Sequence, residues 1–198
     1  MPDALLSRRL AVAAALVLSP PDGAVVAILS RLGSLDLNLG KARQDFYDVL
    51  CVPQSGRYIP PYAHVLAKGR RIDDYHYFPP ARYDGGDAFR EWYDIAGFDP
   101  LSLPADPMNH GPHRPLDHVG YLLAFAAGLV ETDGEIAGEF ASQCMGDWID
   151  SYIAMLARSE SQYIVLVAGA LAEAVAELRE MLPREDRAQL APAACATS

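Results

Sequence analysis

The sequence predicts an all-α protein with a bundle-like core. Apolar residues recur at three-to-four-residue steps through most of the chain, and prolines and glycines cluster between those stretches. No apolar/polar alternation bounded by tight hairpin turns stands out, so helices packed on helices are the economical architecture.

The elements follow in order. Leu5 to Leu18 is helix-compatible and stops at Pro20-Pro21. Asp22 is placed to cap a second short helix carrying Val25, Val26, Ile28, Leu29 and Leu32. A third helix is expected from Lys41 to Cys51, with Phe46, Tyr47, Leu50 and Cys51 on one face. The stretch Val52-Pro53-Gln54-Ser55-Gly56-Arg57-Tyr58-Ile59-Pro60-Pro61-Tyr62 forbids a regular helix, and its aromatics favour a loop packed on the core. Residues 63–86 read as irregular. Asp87 to Gly97 is amphipathic, with Phe89, Trp92, Tyr93 and Ala96 recurring at helical steps. Residues 99–115 hold five prolines, one glycine and two histidines and read as a hinge or inter-lobe loop. Three more helices are expected, from Leu116 to Val130, from Asp133 to Ala157 and from Glu160 to Leu182. Phe140, Cys144, Trp148 and Tyr152 repeat every four residues as a core stripe. One helical domain over 1–182 and a frayed Ala/Pro-rich tail over 183–198 complete the organisation.

Charge narrows the function. The chain has 198 residues and a formal net charge of −10, and residues 100–198 alone carry 14 acidic and 5 basic side chains. Nucleic-acid binders neutralise phosphates with a basic face, so that class is not expected. An acidic surface attracts a basic peptide or partner instead. The opening Ser7-Arg8-Arg9 before an apolar run has the look of an export leader. Yet Asp3 lies in the would-be positive region and the run closes on Ser19-Pro20-Pro21-Asp22, so a mature first helix is expected. No uncharged apolar run approaches the length of a membrane span. Cys51, Cys144 and Cys195 form neither a disulfide framework nor a metal knuckle, which fits a reducing compartment.

Catalytic signatures are missing: no phosphate-binding loop, dinucleotide turn or nucleophile elbow occurs. His110, His113 and His118 lie near one another, but the first two sit in the Pro/Gly loop rather than in a close zinc-ligand set. No metal, cofactor or catalytic residue is expected. Asp117-His118, at the start of an otherwise apolar helix, is the pair with a chemical reading. Asp117 is suited to capping free backbone amides, and His118 to bridging loop and helix or to offering a donor to a bound carbonyl. As neighbours in sequence they point different ways and make a poor dyad. Arg57, Tyr58 and Tyr62 read either as a rigid cover over the core or as a rim that contacts a partner.

Several segments, in this order, resemble the redox-enzyme maturation chaperones, the family of TorD, DmsD and NarJ-like proteins. They are the helix ending in Pro20-Pro21, Phe46 to Tyr62 with its Gly-Arg-Tyr-Ile-Pro-Pro-Tyr loop, Trp92-Tyr93 to Gly97-Phe98, Asp117-His118-Val119-Gly120 leading to Leu123-Ala124-Phe125, and Met145 with Trp148. The likeness spans roughly residues 5–180. Where the family often reads Glu-x-Pro-Asp-His, this chain has Arg114-Pro115-Leu116-Asp117-His118, and Cys144 stands where histidine is frequent. The resemblance implies a cytoplasmic all-helical chaperone that binds the apo catalytic subunit of a molybdopterin-containing oxidoreductase, and its twin-arginine leader, before export. It transfers a leader-binding or hinge role to Asp117 and His118 only. A monomer or a domain-swapped homodimer fits the long loop. The alternative function is a non-catalytic helical subunit or adaptor retained in an oxidoreductase complex.

Overall fold

The computed structural model describes residues 3–73, 75–109, 111 and 114–181. Among them are nine α-helices, α1 Ala4–Leu18, α2 Gly23–Gly33, α3 Leu39–Phe46, α4 Ala63–Leu66, α5 Arg90–Ala96, α6 Val119–Thr132, α7 Gly134–Cys144, α8 Asp147–Ala157 and α9 Gln162–Glu180. A two-stranded hairpin, β1 Arg70–Ile72 and β2 Tyr75–Tyr77, is the only sheet described. The all-α expectation holds.

The bundle is organised around α6. Ten of its 14 residues are buried, and only a narrow stripe through Ala124 and Gly128 faces solvent. α1 packs along it, α7 covers another side, and α9 closes the bundle against α1, α7 and α8. α1 starts where the Asp3 carboxylate accepts the Leu5 and Leu6 N–H groups at 3.1 and 3.0 Å. Its buried stripe is Leu6, Leu10, Ala13, Ala14 and Val17. Each Leu or Val buried there contributes about 1.5–3 kcal/mol. Ser7 donates to Glu131 of α6 at 2.7 Å, and Arg9 pairs with Glu177 of α9. The apolar run after Arg8-Arg9 is thus a core helix of this fold. No single helix among the described residues is long and apolar enough to cross a membrane.

Four details correct the sequence reading. First, 133–157 is two helices. Met145 is buried in a non-helical turn, and Gly146 precedes a new N-terminus whose first turn holds Asp147 and Asp150. Glycine weakens a helix interior, and the two carboxylates favour a fresh positive helix end there. Of the four-residue stripe, Phe140 and Tyr152 are fully buried while Cys144 and Trp148 are only half-buried. Second, α2 forms on its Asp22 cap, the Val25 N–H donating at 2.8 Å, but buries only Val26 and Leu29; Ile28 and Leu32 are exposed. Third, the stretch 63–86 is not wholly irregular, since α4 and the hairpin lie in it. Triplets of strand are too short for alternation to register, and Asp73 takes the left-handed φ of 54° that aspartate tolerates in the turn. Fourth, Tyr83–Phe89 is a 3₁₀ segment leading into a shorter α5.

The described part of 99–115 is tied down at several points. The Asp106 N–H donates to Leu18 O at 2.9 Å, the Tyr47 hydroxyl donates to Asp106 at 2.8 Å, and buried Asn109 reaches Val17 O at 3.4 Å. A hinge here would first have to break these contacts with α1 and with Tyr47. His110, His113 and the 183–198 tail, with Cys195, lie outside the described residues.

Two glycines of α6 test this packing with opposite signs. A Cβ on Gly120 would stand 2.4 Å from Leu18 Cγ, so α1 and α6 touch here only because the position lacks a side chain. A Cβ on Gly128, on the exposed side, meets nothing within 4 Å. Chemical denaturation should show Gly120→Ala lowering stability by about 1–3 kcal/mol and Gly128→Ala raising it by about 0.5–1 kcal/mol.

Candidate functional site

The sequence singled out two separated segments, 57–62 and 117–118, and the fold joins part of them. Tyr62 and His118 form an isolated antiparallel bridge. The Val119 N–H donates to Pro61 O at 2.8 Å, and the Ala63 N–H donates to Asp117 O at 3.1 Å. The rings of Tyr62 and His118 meet edge to face, 5.5 Å between centroids. Proline suits this edge because its missing N–H is not needed there, while its carbonyl is.

The roles of the pair differ from the expectation. The cap of α6 is His118, whose Nδ1 accepts the Gly120 N–H at 3.0 Å. Asp117 serves α4 instead. Its Oδ2 accepts the His64 N–H at 2.6 Å and the His64 Nδ1–H at 2.7 Å. The other ring nitrogen of His64, Nε2, accepts the Arg82 N–H at 3.0 Å. The network therefore puts the ring proton on Nδ1 and commits both nitrogens to holding the chain. An Asp–His pair with its far nitrogen bound by backbone is a fastener and has no lone pair left for a substrate proton. Gly85 lies against the His64 ring and Gly86 against the backbone of Leu116 and Asp117.

Asp117 and His118 are both fully buried, and Tyr62 is 4% exposed. A partner cannot touch them in this conformation. Arg57 is committed too, donating to Asp45 at 2.9 Å with Asp48 at 3.4 Å. Tyr58 is half-buried, and burial pushes its phenol up. Burial likewise raises Tyr62, against the nearby Arg114, and takes the Cys51 thiol to about 12 and Cys144 to about 11, so neither thiol is a ready nucleophile.

Asp45 is the second internal tie. Burial alone would raise its carboxyl, but hydrogen bonds from Ser161 (2.7 Å), Arg57 and Lys41 (3.1 Å) outweigh that and hold it below the usual carboxylate range. It links α3, the 53–59 loop and the start of α9.

A surface suited to a partner lies elsewhere, between α5 and the α6–α7 pair. This groove encloses about 600 Å³. Trp92, Ile95, Phe125, Leu129 and Ile136 make it apolar, and Glu91, Asp133 and Glu139 are its charged residues; no lysine or arginine lines it. Ile95 is 81% exposed and Ile136 40%. The wall is rigid because α5 is anchored by rings: Trp92 meets Phe140 at 5.4 Å, Tyr93 meets Phe125 at 5.0 Å, and Phe125 meets Phe140 at 5.0 Å. The Tyr93 hydroxyl also donates to Leu116 O at 2.9 Å. The sequence places Trp92 on the apolar side of this helix, where it packs half-buried against Phe140, and singles out none of Glu91, Ile95, Ile136 and Glu139. The available signal was an isoleucine beside carboxylates on the outer side of the amphipathic helix.

Among the described residues no group of three or more His, Cys, Asp or Glu is arranged to hold a metal. The fold and the groove thus define an all-α bundle with an acidic, apolar-floored surface trough. Comparison with family models, curated proteins and solved structures finds no match for the chain.

Two substitutions probe the ties. Gly86→Ala places a Cβ 2.5 Å from the Leu116 and Asp117 nitrogens, backbone that cannot swing aside, and should lower stability by about 1–3 kcal/mol in denaturant titration. Asp45→Asn should cost about 2 kcal/mol at neutral pH. Because the folded carboxyl titrates below its ordinary 3.8, the stabilisation is complete above that value and lost as pH falls through the lower folded one. Melting curves of the wild type and Asp45→Asn should therefore converge only in strong acid.

Proposed function

We propose that this chain is a cytoplasmic assembly chaperone that binds the apo catalytic subunit of a molybdopterin-containing oxidoreductase, with the α5–α7 groove as the seat for its twin-arginine leader. The observation that carries the reading is the groove's composition, an apolar floor flanked by carboxylates with no cation. A leader presents paired arginines followed by an apolar stretch. Carboxylates beside an apolar trough answer both halves of that pattern, charge steering the encounter and burial of side chains holding it. The acidic second half of the chain, net −9 of the −10, draws such a segment from a distance. The ordered set of segments shared with the TorD, DmsD and NarJ-like proteins supports the same reading. In it Asp117, His118 and Tyr62 act from below, setting the start of α6 and the loop beside it, while Glu91, Glu139, Ile95 and Ile136 meet the peptide.

A gentle pull-down from the native cell with mass spectrometry tests the client. Recovery of an unprocessed, cofactor-free molybdoenzyme large subunit is the expected result. Recovery only of a mature, metal-loaded complex in fixed stoichiometry would instead identify a retained helical subunit.

The groove itself is tested by fluorescence anisotropy with a synthetic peptide carrying paired arginines and an apolar run. The double charge reversal Glu91→Lys with Glu139→Lys should weaken binding about tenfold or more with the melting temperature unchanged, since both side chains are exposed. Added salt should weaken wild-type binding. His118→Ala should act first on the melting temperature, through loss of the α6 cap.

A further inference from the structure

The hairpin is the other unusual surface. Every residue of β1 and β2 is exposed, so these strands bury nothing of their own. A two-stranded hairpin alone is marginal in water, and this one displays Ile72, Tyr75 and Tyr77 at 58%, 80% and 60% exposure. The register pairs Arg70 with Tyr77 and Ile72 with Tyr75, and alternation puts these four side chains on one face. Arg71 and His76 take the other face, where His76 stacks on Phe78. The first face continues into an open hollow of about 730 Å³ lined by Ala67, Lys68, Gly69, Arg70, Ile72, Tyr77 and Pro79, with two cations and no carboxylate. Arginine, tyrosine and isoleucine together on one exposed patch is the composition of an interface centre.

This patch is the electrostatic inverse of the α5–α7 groove. One is apolar with Lys68 and Arg70, the other apolar with Glu91, Asp133 and Glu139. They are close in sequence, since only residues 78–89 separate β2 from α5. We propose that the hairpin face of one copy of this chain docks in the α5–α7 groove of a second copy, and that reciprocal docking closes a two-fold dimer in which each groove is covered. The inference rests on the groove being a peptide-docking site, as proposed above, and adds its regulation. A client segment and a second copy compete for one seat, so the idle protein protects its own apolar groove and an arriving basic–apolar peptide opens the pair. A partner with an acidic, apolar surface is a different occupant for the hairpin face and is an outcome of the test.

Sedimentation velocity over a wide concentration range reads the proposal directly. Wild-type mass should rise from one copy to two. Lys68→Glu with Arg70→Glu, or Glu91→Lys with Glu139→Lys, should each weaken association about tenfold or more. All four positions are exposed, and circular dichroism checks that each variant folds. An equimolar mixture of the two variants restores opposite charges at both contacts and should recover the two-copy mass. Mass that stays at one copy throughout, association that ignores both reversals, or a mixture that does not recover would overturn the proposal and leave the hairpin face to a foreign acidic partner. The same twin-arginine peptide, added to dilute wild type, separates this from the underlying reading: peptide bound with no dimer at any concentration defeats only the dimer, while no peptide bound defeats the groove as a leader seat. The Lys68→Glu/Arg70→Glu variant should bind the peptide at least as tightly as wild type, because nothing then competes for the groove.

Discussion

A helix that starts inside a protein must find partners for its first N–H groups there, because water cannot supply them. α6 is such a helix, and much of the surrounding structure meets that demand. His118 Nδ1 takes the Gly120 N–H, Pro61 O takes the Val119 N–H, and the His118 carbonyl takes those of Tyr121 and Leu122. The chain between α3 and α4 passes through a π-helical turn, Tyr47–Cys51, and a 3₁₀ turn, Pro53–Ser55, before the short stretch 57–61, whose paired prolines stiffen it and set Pro61 beside α6. To keep it there, Asp117 grips α4 through both the backbone and the ring of His64. His64 in turn holds the segment leading to α5 through the Arg82 N–H. The wall of the groove is thus connected, through four residues, to the capping of the core helix.

The sequence revealed the parts of this arrangement that depend on period and punctuation. The stripes of α1, α6 and α9 are long, and Pro20-Pro21 and Asp22 mark a stop and a cap, so their positions came within a few residues. The same signals faltered where a break is made by one residue. Gly146 divides α7 from α8, and nothing in the periodicity around Phe140 and Tyr152 shows it. α2 has a good apolar pattern but too little neighbouring surface to bury it, a tertiary fact that no local pattern contains. Asp117-His118 and Tyr62 stand out in the sequence, but it does not say which helix each serves. Adjacent side chains project to different sides, and the partner of Asp117, His64, lies 53 positions away.

The surfaces were harder to read than the interior for a physical reason. An apolar residue on a polar helix face, such as Ile95, is common and means little alone. It acquires meaning from Ile136 and the carboxylates of α7, which the fold brings beside it. The same holds for the hairpin, where Ile72, Tyr75 and Tyr77 form a patch only once the register sets them on one face. Total charge pointed to an acidic molecule; its division into an acidic trough and a basic ledge appears only in three dimensions.

The position of α1 constrains how the protein comes into being. Its buried stripe rests against α6 and α9, and α9 is the last helix described. A ribosome delivers these partners in order, so α1 emerges first and waits for both. During synthesis Leu6, Leu10 and Val17 remain a bare oily strip, next to Arg8 and Arg9, until α6 arrives, and the strip is fully covered only when α9 follows. Contacts of such long sequence separation form slowly. Closure of the bundle therefore waits for α9, and a ribosome stalled before it would hold an incomplete and adhesive intermediate.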